Sequence, residues 1–198
     1  MSLELPKSAR RVQRAIAAAG IRAQVVELPA STRTAANAAA AIGCRVEQIA
    51  KSLVFRCTPS DEPVLVIASG TNRVDERLVS SHLNVQITKA DANFVRVTTG
   101  FAIGGVPPVG HITPLRTLID EDLLKLDTIW AAAGTPYTVV SLEPRQLVEA
   151  TSGQVVAVAG TKVGGIADWV DWTRPLMRRE AISSSGRSMP RVFRLSVP

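Results

Sequence analysis

An α/β fold, with a mixed sheet or a partly closed barrel flanked by helices, is the fold class that this sequence predicts. Segments with the alternating pattern of strands interleave with segments of helical periodicity, and short turns link them. Hydrophobic residues make up 46% of the chain and aromatic residues only 4%, so the core must be mostly aliphatic. The 198 residues suit one domain, which we place at residues 1–160. Residues 161–198 are predicted to form a basic C-terminal extension that is partly disordered.

The N-terminal part of the chain predicts two helices with a strand between them. Apolar residues at helical spacing indicate the first helix, and Gly20 is placed to end it. Ser31, Thr32 and Thr34 are candidate N-caps for the second helix, which Gly43 ends. The predicted elements are a helix over Pro6–Ala19, a strand over Ala23–Leu28 and a helix over Ala35–Ile42.

The rest of the domain alternates between strands and helices. Two apolar runs around the turn at Thr58–Glu62 predict a hairpin. The predicted strands are Ile49–Cys57, Pro63–Ala68, Leu115–Ile119, Thr128–Ala132, Tyr137–Ser141 and Val155–Val158. The predicted helices are residues 75–83, residues 90–97 and Pro144–Ala150. Between them, Thr99–His111 holds four glycines and two prolines, which predicts a loop of unusual backbone shape.

The net charge of +6 is concentrated at the two ends of the chain. Residues 1–22 carry five basic side chains against one acidic, and residues 161–198 carry seven against three. Residues 23–160 therefore have a net charge of −2. A basic balance suggests an anionic partner such as a nucleic acid or a membrane surface. The basic ends are either solvated or an electrostatic collar for a phosphate backbone.

Several classes of protein are disfavoured by what the sequence lacks. No apolar run approaches the roughly 18 residues of a membrane span, and Met1–Leu5 does not begin a secretory signal, so we expect a reduced, cytoplasmic protein. Cys44 and Cys57 with His82 and His111 make a poor metal site, so we expect no metal and no cofactor. GxGxxG, GxSxG, HExxH and CxxC are all missing. An enzyme of this sequence would therefore work by positioning, backbone hydrogen bonds and help from its substrate.

Two segments are the candidates for function. Lys51 stands in the largely apolar strand segment Gln48–Phe55, where it is either a solvated edge-strand lysine or a cation that holds an anion or polarises a carbonyl. The segment Gly104–Pro108 is either a tight turn or a rigid loop whose N–H groups bind a carbonyl or an oxyanion.

Taken in order, these segments resemble a known family. The resembling pieces run from Thr34 to Ala159 and are Thr34–Gly43, Gln48–Phe55, Val64–Gly70 with Arg73–Asp75, Thr99–Phe101 with Gly104–Gly110, Leu118–Asp120 and Ala133–Pro136. They are similar to the prolyl-tRNA editing domain family, which comprises the YbaK-like proteins and the insertion domain of bacterial prolyl-tRNA synthetases. The most specific pieces are the Lys51 segment and the Gly104–Pro108 loop, which fits the family's GxxxP pattern.

The resemblance implies a metal-free hydrolase that cleaves the aminoacyl ester of a mischarged tRNA, most typically Cys-tRNA(Pro) or Ala-tRNA(Pro). Lys51 would be the key basic residue near the phosphate of the terminal adenosine or near the ester, and Gly104 and Gly105 would supply backbone donors to the carbonyl. The nucleophile would be water, the ribose 2′-hydroxyl or a substrate thiol. The implied partners are the acceptor end of the tRNA and, as a second candidate, prolyl-tRNA synthetase; no membrane partner is implied.

The resemblance also suggests supporting residues and leaves alternatives. Pro108 would hold the glycine loop, and His111 and Asp120 would line the pocket or serve a purely structural role. Many members carry serine where this chain has Pro107, which leaves the selected amino acid open. A tRNA- or RNA-binding module without catalysis and a small-molecule binding protein are the alternative functions.

Overall fold

The computed structural model describes residues 4–160, which form an eight-stranded mixed sheet with five α-helices. The helices are α1 (Lys7–Ala18), α2 (Ala35–Ile42), α3 (Glu76–Leu83), α4 (Ala92–Thr99) and α5 (Pro144–Thr151). The strands are β1 (Val25–Glu27), β2 (Ile49–Thr58), β3 (Pro63–Ser69), β4 (Gln86–Lys89), β5 (Arg116–Asp120), β6 (Ile129–Ala132), β7 (Thr138–Leu142) and β8 (Gln154–Val156). The predicted α/β class with a mixed sheet is confirmed. The predicted extension over residues 161–198 lies outside the described residues.

The sheet runs in the order β1-β7-β6-β2-β3-β5-β8, and β4 pairs with β2 beside this path. The β2–β3 hairpin, the β2–β4 pair and the pairs of β7 with β1 and β6 are antiparallel. The pairs β2–β6, β3–β5 and β5–β8 are parallel. Strand β2 is therefore a central strand with three partners.

Helices cover both faces of the sheet, and β3 is buried between them. Leu65 and Ile67 of β3 pack in the larger core cluster, which also includes the fully buried apolar face of α1. Val64 and Val66 point to the opposite face and pack in the cluster that contains α3. Burial on both faces explains why β3 has a continuous apolar run instead of an alternating pattern.

Polar caps begin three of the helices, as expected for short helices that must satisfy their first N–H groups. The hydroxyl of Thr34 accepts from Asn37 N at the start of α2. Asp75 and Asp91 accept from backbone N–H groups at the starts of α3 and α4. These caps fix where each helix begins, and those of α2 and α3 border the site described below.

The main difference from the sequence prediction is β4, which was not expected. Only Ile87 of its four residues is buried, so the sequence Gln-Ile-Thr-Lys has no period that distinguishes a strand from a loop. Its pairing with the end of β2 decides the conformation. Two short 3-10 turns, Val46–Gln48 and Glu121–Lys125, were likewise not predicted.

Within residues 4–160, no helix has the length and apolar character needed to cross a membrane.

Candidate active site

A cavity of about 1050 Å³ lies along β2, and its size is at the upper end of the range for ligand pockets. Every residue from Ile49 to Phe55 lines it. The other walls come from Thr32–Ala35, the segment Gly70–Arg77, the loop residues Ile103 and Gly104, and parts of β6. The cavity therefore brings together the two segments that the sequence analysis singled out.

Lys51 is half-buried in this cavity and held by two carbonyls. Its Nζ donates to Gly70 O at 3.1 Å and to Asn72 O at 2.6 Å. An ammonium has three N–H groups, so one remains for a ligand. Burial lowers the pKa of Lys51, and the nearby Asp120 carboxylate acts in the opposite direction. Because Lys51 is half-buried and two carbonyls hold its ammonium, the alternative of a solvated edge-strand lysine does not fit the structure.

Asp120 lies behind the turn that holds Lys51 and does not line the cavity. It is 1% exposed, and its carboxylate accepts from Ser69 N at 3.0 Å, Asn72 Nδ2 at 2.8 Å and Asp122 N at 3.1 Å. These bonds fix the backbone at Asn72, whose carbonyl accepts from Lys51. Of the two roles considered for Asp120, this position agrees with the structural one and not with a pocket wall.

The two glycines of the loop have different surroundings. Gly104 lines the cavity with φ +87°, a conformation that favours glycine, and its N–H makes no hydrogen bond with any residue in 4–160. Gly105 N instead donates to Ala102 O at 3.0 Å, so this N–H is engaged within the loop. A Cβ on Gly105 would come within 2.8 Å of the Thr135 backbone. We expected backbone donors from both glycines. In the structure the N–H of Gly104 has no partner within residues 4–160 and is free to donate within the cavity, whereas Gly105 allows the loop to pack closely against the Thr135 backbone.

Pro108 and His111 anchor the loop away from the cavity, which neither of them lines. Pro108 is buried, and His111 Nε2 donates to Pro107 O at 2.8 Å. Burial lowers the pKa of His111, the bond to Pro107 opposes this, and the charge of Arg11 lowers it further. No described histidine or cysteine lines the cavity, so the chain supplies no imidazole base there.

Four exposed basic side chains line the cavity around Lys51, and none of them was predicted from the sequence as a site residue. They are Arg33, Arg73, Arg77 and Lys89, and we refer to them as the basic rim. Among the described residues, only two acidic ones, Asp75 and Glu76, line the same cavity. None of the rim side chains forms an ion pair within residues 4–160. A domain with a net negative charge over residues 23–160 therefore has a positively charged cavity.

No group of three or more histidine, cysteine, aspartate or glutamate side chains that could hold a metal ion occurs among the described residues.

Comparison with known proteins places this chain in a family. The model of the family described as "Aminoacyl-tRNA editing domain" matches residues 29–150. The chain is 30% identical over 110 residues to the uncharacterized protein YwhH of Bacillus subtilis, covering 56% of this chain and 69% of YwhH. It is 24% identical over 97 residues to EbsC of Enterococcus faecalis, named as a candidate Cys-tRNA(Pro)/Cys-tRNA(Cys) deacylase, covering 48% of this chain and 59% of EbsC.

The structural comparison agrees with the sequence comparison. The crystal structure of a candidate trans-editing enzyme for prolyl tRNA synthetase superposes with a TM-score of 0.76 at 46% identity. The match covers 80% of this chain and 100% of that chain. With a family model that matches residues 29–150 and a solved relative of the same fold, the chain belongs to the aminoacyl-tRNA editing domain family.

Proposed function

We propose that this protein hydrolyses the ester bond of a mischarged tRNA, with Cys-tRNA(Pro) or Ala-tRNA(Pro) as substrate. The observation that carries the proposal is the position of Lys51, held by two carbonyls in a cavity that it shares with Gly104 and the basic rim. This arrangement suits a polyanion that ends in a carbonyl ester. Membership of the editing family and the similarity to EbsC support the same substrate class.

In the proposed mechanism, the protein positions the ester and stabilises the charge that develops on it. The remaining N–H of Lys51 and the N–H of Gly104 are the donors for the carbonyl oxygen or the adjoining phosphate. Water attacks the carbonyl carbon directly, or follows a first step by the substrate: attack by the ribose 2′-hydroxyl moves the acyl group to O2′, and attack by a substrate thiol breaks the ester C–O bond and forms a cyclic thioester, which water then cleaves. When water attacks, the ester C–O bond breaks, the ribose oxygen takes up a proton, and a free amino acid and an uncharged tRNA result. Holding the nucleophile against the ester can itself account for a large rate gain.

The experiment that tests the proposal is a deacylation panel. Release of amino acid is measured from Cys-, Ala- and Ser-tRNA(Pro), with correctly charged Pro-tRNA(Pro) as the control. We expect release from at least one mischarged substrate and protection of Pro-tRNA(Pro). If the protein releases no amino acid from any of the three mischarged tRNAs, the proposed hydrolase activity is contradicted.

A tRNA-binding module without catalysis is a second candidate, favoured by the basic rim. The same panel separates the two functions when it is combined with a filter-binding assay on uncharged tRNA(Pro). Tight, salt-dependent binding without release of amino acid would favour the binding module.

The basic rim is expected to contribute to substrate binding through phosphate contacts. Arg77→Ala combined with Lys89→Ala should raise KM several-fold with little change in kcat, because both side chains are exposed at the cavity. For a single-stranded end, the slope of log K against log salt should fall by about 0.7 for each cation removed. Binding is measured across a salt series. Arg145→Ala, an exposed arginine on α5 outside the cavity, is the control, and an equal effect in this variant would contradict a specific role for the rim.

A further inference from the structure

Strand β2 has an unpaired stretch of backbone where it borders the cavity. On one edge β3 pairs continuously from Ala50 to Arg56. On the other edge β6 pairs only Ile49 and Ala50, and β4 pairs only residues 55–58. Residues 51–54 therefore have no partner strand on that edge among the described residues.

The register indicates which backbone groups point into this gap. Cys57 N donates to Glu62 O at 2.9 Å, on the side of β3. Directions alternate along a strand, so Ser52 and Val54 point their N–H and C=O groups away from β3 and toward the gap. The residues paired with each neighbouring strand show which carbonyls are already engaged. The Ala50 carbonyl is the last group of β2 that bonds to β6, and the Val54 carbonyl is the first that bonds to β4. Ser52 N–H, Ser52 C=O and Val54 N–H therefore lie between the two partner strands without a strand partner within residues 4–160.

The gap opens into the cavity. Side chains of a strand alternate between its faces, yet all residues from Ile49 to Phe55 line this one cavity. That is expected when the cavity meets the strand at its edge. The side-chain oxygen of Ser52 is also buried without a hydrogen-bond partner among the described residues. Buried polar groups that lack a hydrogen-bond partner cost free energy, so a ligand that bonds to them here gains binding free energy.

The chemistry of the gap selects a particular kind of ligand. On a strand edge, the C=O of one residue and the N–H of the residue two positions later lie side by side. The Ser52 C=O and Val54 N–H thus present an acceptor next to a donor, which complements the 6-amino group and N1 of adenine. At these two groups hypoxanthine and guanine present the reverse pattern, with an acceptor against the Ser52 carbonyl and a donor against the Val54 N–H. Nearby apolar wall residues, Ala90, Val95 and Val106, suit the faces of a flat ring. The gap is too short to admit another strand, which disfavours a peptide.

We propose that this edge of β2 binds the adenine base of the 3′-terminal nucleotide, with the 6-amino group donating to Ser52 O and Val54 N donating to N1. The inference rests on the proposed function for the source of the adenine. Every tRNA ends in C-C-A, and the terminal adenosine carries the amino acid. Cytosine has the same donor–acceptor edge, but the terminal base is the one that must enter the cavity with the ester.

A binding experiment tests the site without relying on catalysis. The amide resonances of Ser52 and Val54 are followed by NMR during titration with AMP and, separately, with inosine monophosphate. We expect both amides to shift with AMP, and inosine monophosphate to bind at least about tenfold more weakly. Equal binding of the two nucleotides, or AMP binding that leaves both amides unshifted, would overturn the proposal.

A second experiment uses the substrate itself. A charged acceptor-stem hairpin is prepared with its terminal adenosine replaced by purine riboside, which lacks the 6-amino group. We expect kcat/KM to fall about tenfold or more, since Ser52 O is left without a donor. Terminal 7-deazaadenosine, which keeps both groups, is the matched control and should retain activity.

The outcomes separate this inference from the proposed function. Deacylation that is insensitive to the terminal 6-amino group overturns the adenine contact and leaves the hydrolase intact. Sensitivity to the loss of the 4-amino group from the penultimate cytosine, in place of the terminal adenine, also overturns it. Selective AMP binding without any deacylation supports the adenine site and contradicts the hydrolase.

Discussion

Replacing Lys51 with methionine is expected to lower kcat/KM for deacylation by about 10²–10³-fold, the usual effect of losing one donor at a developing negative charge. Methionine keeps an unbranched stem of similar length and removes the ammonium. The Gly70 and Asn72 carbonyls lose their donor, so the free energy of unfolding should fall by about 1–3 kcal/mol. Single-turnover deacylation and urea unfolding measure the two effects separately.

Two further variants make the Lys51 experiment decisive. Lys125→Met removes an exposed lysine whose partner is Asp122, outside the cavity, and should leave kcat/KM unchanged. Lys51→Arg keeps the charge, but the planar guanidinium does not reproduce a compact ammonium between two carbonyls, so we expect incomplete rescue. A folded Lys51→Met variant with full activity would contradict the assigned role.

Asp120→Asn is expected to lower the free energy of unfolding by about 2–4 kcal/mol. Asp120 is 1% exposed, and its carboxylate oxygens face donors from Ser69, Asn72 and Asp122. An amide places its own N–H groups against one or more of these donors. Chemical denaturation measures the loss. Asp127→Asn, at an exposed position, is the matched control and should be close to neutral.

The same variant should change the pH dependence of activity. Burial lowers the pKa of Lys51, and the charge of Asp120 raises it. Activity requires the protonated ammonium, so it falls as pH rises through the pKa of Lys51. Without the Asp120 charge that pKa drops further, and the alkaline fall in kcat/KM should move to lower pH. If the alkaline fall in kcat/KM occurs at the same pH in the variant, or at a higher pH, the coupling between Lys51 and Asp120 is contradicted.

Local signals explain why most helices and strands could be predicted from the sequence. The α2 helix has a capping threonine at one end and Gly43 in the left-handed conformation at the other. The β2–β3 hairpin follows from two apolar runs and a polar turn. By contrast, β4 has one buried residue and becomes a strand only because β2 offers it an edge. The stabilisation of β4 comes from hydrogen bonds to β2, which is distant in the sequence, so the residues around β4 cannot predict it.

The candidate site likewise has some residues that the sequence could indicate and others whose role depends on the folded structure. Lys51 and the Gly104–Pro108 loop could be singled out because a lysine in an apolar strand and a glycine–proline loop are unusual in themselves. Asp120 could be named only through the resemblance, and the structure places it behind the turn that carries Asn72. The role of Gly105 depends on Ala102 and Thr135, whose positions follow from the folded loop.

By itself, the sequence determined the α/β class, the main elements and the family, because periodicity, caps and motif order are written in neighbouring residues. It indicated a net charge that belongs to the ends of the chain and a nearly neutral body. Only the tertiary structure decided that Arg33, Arg73, Arg77 and Lys89 line one cavity with Lys51. It also decided that β6 and β4 leave part of β2 unpaired between them. Both features depend on which distant segments pack together, since charge and hydrogen-bonding groups act through space and not along the chain.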